Sequence, residues 1–224
     1  MAYSDCWSDV LRSTYYTSLV LFHDYRKGVY TPGLDRFARP VTLNLNVWQS
    51  GVPGKALATR AAGTQLNVAD GGTTPELELT TAGTLVFCLR PGGWPFTAGT
   101  CFCYKVTGAA GYLLVCNDTS RLYLTTGGVN ALESASTPLA PCVSIAVSWT
   151  NGVAPRFYGN GVFRSVGNNA ANASAETSTL YLMQVGGNFL LPPPVQSVMF
   201  FNTQLTGAEI SQLHNDFEQS AHVL

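Results

Sequence analysis

The sequence carries little charge. Only 11% of its 224 residues are Asp, Glu, Lys or Arg, against about 25% in ordinary soluble domains. Thr, Ser, Asn, Gln and Gly, or another protein, must therefore cover much of its surface. A cationic surplus is missing too: twelve Lys and Arg stand against thirteen Asp and Glu, which leaves nothing to neutralise phosphates and argues against nucleic acid as a partner. Long apolar runs are also absent. The longest, Tyr15 to Phe22, has eight residues and includes Thr17 and Ser18, short of the roughly 20 that a membrane-spanning helix requires. What is present is hydrophobic residues at 46% and aromatics at 11%, which excludes a disordered chain and is enough for a sizeable core.

No base precedes Arg12, whereas Asp5 and Asp9 do. That charge order does not suit a secretory signal, so the expectation is folding in a cytosol. In that compartment Cys6, Cys88, Cys101, Cys103, Cys116 and Cys142 read as free, mostly buried thiols. Cys101-Phe102-Cys103 has the form of half a zinc site, but no second pair follows at zinc spacing and the three His are remote in sequence. After Arg164 there is no further base, while Glu176, Glu209, Asp216 and Glu218 follow. Such a layout suits either a plain solvated surface or head-to-tail contacts between copies.

Turn signals recur every ten residues or so between short apolar runs, the pattern of a β-sandwich or barrel. Leu77 and Leu79 alternate with Glu76, Glu78 and Thr80, which predicts a one-sided strand. Thr84 to Leu89 is apolar on both faces and predicts a central strand. Phe102 to Val106, Tyr112 to Cys116 and Arg121 to Thr125 follow as a meander. Val143 to Trp149 and Arg156 to Phe163 carry hairpin turns at Asn151-Gly152 and Gly159-Asn160-Gly161. Gly167 to Ser178 is a polar loop, and strands resume at Leu180 to Gln184 and Val195 to Asn202. One helix is strongly signalled: Thr206 and Glu209 form a capping box, Leu205 and Ile210 a staple, and Ile210, Leu213 and Phe217 an apolar stripe. A weaker helix is read over Ser4 to Thr14. Residues 1–20, with Trp7, Tyr15 and Tyr16, fit either a docking arm or a flap of local core; residues 21–224 read as one continuous β domain.

Several blocks carry a resemblance. Gly51-Val52-Pro53-Gly54-Lys55-Ala56-Leu57 is a glycine-framed turn and strand, and Leu85 to Pro91 a hydrophobic strand ending in Arg-Pro, with Phe87 or Cys88 where tryptophan is usual. Ile145-Ala146-Val147-Ser148 pairs with Phe157-Tyr158-Gly159-Asn160-Gly161, and Leu182 to Gly187 ends a further strand. Val195 to Ile210 is the most specific block. In this order they resemble the concanavalin A-like lectin/glucanase superfamily, in particular its laminin-G-like, pentraxin-like jelly rolls. The resemblance implies an all-β, two-sheet antiparallel jelly-roll sandwich, with the C-terminal helix packed beside an edge or end.

Glucanases of the superfamily align alternate carboxylates in one cleft. Here Glu76-Leu77-Glu78 offers two, with Thr80 where a third would stand. His23, His214 and His222 assemble no Ser-His-Asp set, so the expectation is no enzymatic activity and no cofactor. Asp70-Gly71-Gly72 and Asn117-Asp118-Thr119 are the loop candidates for calcium, but neither clusters acids and Asx turns are favoured. For a glycan or protein contact the candidates are Trp94, Trp48, Tyr104 and Tyr158, because an aromatic ring can stack on a sugar or anchor an interface. Stand-alone domains resembling this one occur among phage virion proteins. The functional expectation is therefore a capsid-decorating or tail-associated protein, made in a host cytoplasm and held in the virion, homo-oligomeric and in contact with a major capsid or tail protein. The alternative is a lectin-like module for host surface glycans.

Overall fold

The computed structural model describes residues 17–24, 41–44, 46–50, 55–59, 65–68, 77–89, 98–134, 138–139, 142–182 and 194–221. Fifteen strands are described: β1 (Leu19–Asp24), β2 (Val41–Asn44), β3 (Asn46–Ser50), β4 (Lys55–Thr59), β5 (Gln65–Val68), β6 (Ala82–Leu89), β7 (Cys101–Thr107), β8 (Ala110–Cys116), β9 (Leu122–Thr126), β10 (Val129–Leu132), β11 (Ser144–Thr150), β12 (Arg156–Gly159), β13 (Val162–Val166), β14 (Leu180–Leu182) and β15 (Val195–Phe201). They form two antiparallel sheets. The eight-stranded sheet runs β13-β12-β11-β6-β15-β4-β3, with β1 also paired to β15; the seven-stranded sheet runs β10-β9-β8-β7-β14-β5-β2.

The sandwich forms because each sheet turns an apolar face inward. Leu85, Phe87, Leu89, Ile145, Val147, Trp149, Val198 and Phe200 from one sheet meet Phe102, Tyr112, Leu114, Leu122, Leu124, Leu180 and Leu182 from the other. Phe87 stands 5.3 Å from Phe102 between ring centroids, and Tyr112 stands 6.2 Å from Trp149. The Thr84 to Leu89 run does take a central place: β6 lies between β11 and β15.

The opposite face of that central strand carries Val86 and Cys88, and these too are buried. With Leu19, Phe22, Ala146, Met199 and Phe201 they underlie α1 (Gly207–Ala221), whose Ile210, Leu213 and Phe217 complete a second core. The helix thus covers the outer face of the eight-stranded sheet, not an edge or end as expected, because Leu19 and Phe22 of β1, Val86 and Cys88 of β6, Ala146 of β11 and Met199 and Phe201 of β15 give that face an apolar patch. Its cap matches the expectation: the Glu209 amide donates to Thr206 Oγ1 and the Thr206 amide donates to Glu209 Oε2.

The predicted strand around Leu77 and Leu79 is not formed. Residues 77–80 make a tight bend in which Leu79 takes φ 46°. Glu78 is not on a solvated strand face, since it pairs with Lys105 at 3.4 Å; Glu76 lies outside the described residues. A fourth strand, β10, extends the meander through the Gly127-Gly128 turn, whose residues take φ 54° and 76°. Where β10 ends, Glu133 bridges to Gly167 and ties one edge of the seven-stranded sheet to β13. The Glu133 carboxylate holds Arg164 at 2.9 Å and also accepts from the Leu122 amide.

Candidate functional site

The two sheets differ in how their outer faces are covered. The eight-stranded sheet carries α1. On the seven-stranded sheet the outward row read across strands by register is Tyr181 on β14, Tyr104 on β7, Leu113 on β8, Thr125 on β9 and Asn130 on β10. Side chains alternate along a strand, so these five share one face while their neighbours Leu182, Cys103, Leu114 and Leu124 enter the core. Four strand spacings make the row about 19 Å long.

The row is aromatic at one end and polar at the other. The rings of Tyr104 and Tyr181 lie 6.2 Å apart, tilted by 48°, and both are partly exposed. Tyr123 stands in the next row opposite Val115, and it packs with Tyr104 and Val106 against Cys101, Leu113 and Val115. Burial pushes the Tyr123 phenol up, so it stays a neutral hydroxyl at physiological pH. At the polar end Thr125 donates to Asn130 Oδ1 at 2.6 Å, and Asn130 is exposed. Ring faces beside hydroxyl and amide groups can take a ligand that is apolar on its flat side and hydroxylated on its rim.

The structure separates the residues singled out from the sequence. Tyr104 lies on this face. Tyr158 does not: it is 1% exposed, beneath α1 with Phe163 edge-on at 5.9 Å, so it has no ring face to offer a ligand. Trp48 sits on β3 opposite Leu57, in the other sheet. Trp94, Trp7, Tyr15 and Tyr16 lie outside the described residues. Tyr123 and Tyr181 were not anticipated; each lies on the outward side of a short strand whose flanking leucines are buried, which is the signal that locates them.

Of the calcium candidates, Asp70 lies outside the described residues. Asp118 is engaged in an Asx turn. Its Oδ1 accepts from the Ser120 and Arg121 amides, both at 2.8 Å, and its Oδ2 from Arg121 Nε. Although burial works in the opposite direction, the hydrogen bonds from Ser120, Arg121 and Asn117 hold its carboxyl well below the usual range. Among the described residues no three His, Cys, Asp or Glu cluster as metal ligands would. Cys88, Cys101, Cys103 and Cys116 are buried and Cys142 is partly buried, none of them in a disulfide among the described residues. Burial drives the Cys103 and Cys116 thiols far above their ordinary range. His214 on α1 is half-buried and faces the eight-stranded sheet, with Nδ1 3.0 Å from Ser144 Oγ of β11.

No protein-family model matches the sequence, and no curated protein matches it either. Solved structures do. The chain is similar to botulinum neurotoxin type C, a toxin dependent upon interaction with two ganglioside molecules to get into cells, at 12% identity and TM-score 0.66, covering 91% of this chain and 52% of that one. It is similar to the binding domain of botulinum neurotoxin DC, solved with rat synaptotagmin II, at 12% identity and TM-score 0.66, covering 89% and 51%. It is also similar to domain 4 of an extracellular arabinanase from Geobacillus stearothermophilus, solved with arabinotriose, at 13% identity and TM-score 0.59, covering 88% and 98%. The chain thus spans about half the length of the toxin structures and almost all of the arabinanase domain. At these identities the likeness shows the two-sheet sandwich fold alone.

Proposed function

We propose that the chain is a non-catalytic binding module that takes a carbohydrate on the outer face of its seven-stranded sheet. The observation that carries this reading is the Tyr104–Tyr181 pair, 6.2 Å apart and partly exposed on the side of the sheet away from the core, in a row whose Leu113 and Thr125 are each 8% exposed. Tyrosines seated on a rigid sheet offer large contact area at small entropic cost. Support comes from the company the fold keeps: the similar structures include receptor-binding domains and a domain solved with a sugar bound. Glycan-array screening tests it. The expected result is a hit lost in Tyr104→Ala and Tyr181→Ala with unchanged thermal stability. A hit lost in Trp94→Ala and kept in both tyrosine variants moves the site off the sheet, and no hit on a broad array contradicts the reading.

A second reading, a virion accessory protein of a phage acting through protein contacts, is favoured by one specific feature. Of the four large apolar side chains exposed among the described residues, Val162, Phe163 and Val166 lie along a single sheet edge and Val153 lies in the β11–β12 turn of the neighbouring strands. Finding the chain at stoichiometric copy number in purified particles supports that reading, and its absence from them contradicts it. The two readings are compatible on one molecule.

A further inference from the structure

We infer that the β13 edge of the eight-stranded sheet is a self-association surface whose occupant is a second copy of this chain, related by a two-fold axis. This goes beyond the glycan reading and does not depend on it.

The edge is unusual for what it shows to solvent. Val162 is 66% exposed, Phe163 53%, Val153 53% and Val166 42%. Exposed edge strands are ordinarily guarded by charge. The one charged side chain on β13, Arg164, is instead drawn inward to the Glu133 carboxylate and the Ser120 carbonyl. An apolar strip without its guard marks a contact surface. At its Val166 end the edge is already engaged, since the Val166 carbonyl accepts from the Ser134 amide, so the contact there is made by side chains.

Charge at the two ends of the strip points to a second copy. At the Val166 end stands Arg156, exposed and directly opposite Val166 in register. At the Val162 end the β12–β13 turn abuts α1: a Cβ on Gly161 would meet Ser211 and His214, and Glu218 follows His214 by four residues on the same side of the helix. One end of the strip is thus flanked by a cation and the other by an anion. In an antiparallel two-fold contact centred on β13, the Val162 end of each copy meets the Val166 end of the other. Arg156 of each copy then falls beside Glu218 of its mate, so both attractions form at once, as a self-complementary interface requires.

Sedimentation over a concentration series tests this. The unaltered chain is expected to dimerise reversibly. Val162→Asp, a change at an exposed position that leaves folding intact by circular dichroism, is expected to give a monomer. Arg156→Glu and Glu218→Arg are each expected to weaken the dimer by about tenfold, and the two changes together to restore it. Three outcomes overturn the inference: a monomer at every concentration, a dimer that persists in Val162→Asp, or single charge reversals that the double reversal fails to rescue.

Discussion

Lys105 shows how one buried charge organises a loop. Its side chain has no solvent exposure, and its Nζ donates to Glu78 Oε1, to the Ser178 carbonyl at 3.1 Å and to the Glu176 carbonyl. Glu78 in turn accepts from the Glu176 amide. Two segments that would be polar surface in isolation are therefore fastened by one ammonium at the end of β7. Lys105→Met is expected to lower stability by about 3 kcal/mol, because it leaves a carboxylate and two carbonyls without their cation; chemical denaturation measures it. His214 adds a pH dependence. Burial depresses its pKa, with the Glu218 carboxylate working the other way. The unfolded chain then binds the proton more readily, so this contribution is complete above about pH 6.5 and is lost as pH falls through the depressed folded value. Thermal melts of His214→Gln should lack that acid-side step, and an unchanged step would contradict the assignment. The sequence alone hid both residues: their roles depend on partners distant in the chain, Glu176 for one and Ser144 for the other.

Among the elements, α1 and β6 were readable and their meeting was not. The Thr206 to Glu209 capping box is local, and so is the two-sided apolarity of Thr84 to Leu89. That the second apolar face of β6 implies a cover, and that the only strong helix supplies it, requires both facts together. Thr206→Ala is expected to cost about 1 kcal/mol through loss of the cap. Leu213→Ala, at a position 1% exposed between helix and sheet, is expected to cost about 3 kcal/mol. If Leu213→Ala proved neutral by the same denaturation measurement, the helix would not be the second core's lid. The Glu76 to Thr80 alternation misled because periodicity reports faces and not backbone: Leu79 at positive φ bends the chain there. β10 was not expected: it is four residues long, and only the Gly127-Gly128 turn at positive φ brings it back against β9.

At the scale of the molecule, two outer faces of different kind define what the sandwich can do. Among the described residues α1 packs on the outer face of one sheet, which presents an apolar edge at β13, while the outer face of the other carries Tyr104 and Tyr123 around the buried Cys101, Leu113 and Val115, with Tyr181 beside Tyr104. Of that face only Tyr104 was legible beforehand, since Tyr181 and Tyr123 reach it through strand register across distant segments. The two-sheet architecture was legible because turn spacing and strand faces are local properties that add up. The face's ligand was not, because recognition depends on which side chains the sheet order sets side by side. The most direct measurement is an NMR titration of an array-identified oligosaccharide into isotope-labelled protein. Shifts are expected to gather on Tyr104, Leu113, Tyr123, Thr125 and Tyr181, and to vanish in Tyr104→Ala. Shifts gathered on α1 or on the Asp118 turn, with that row unmoved, would contradict the account.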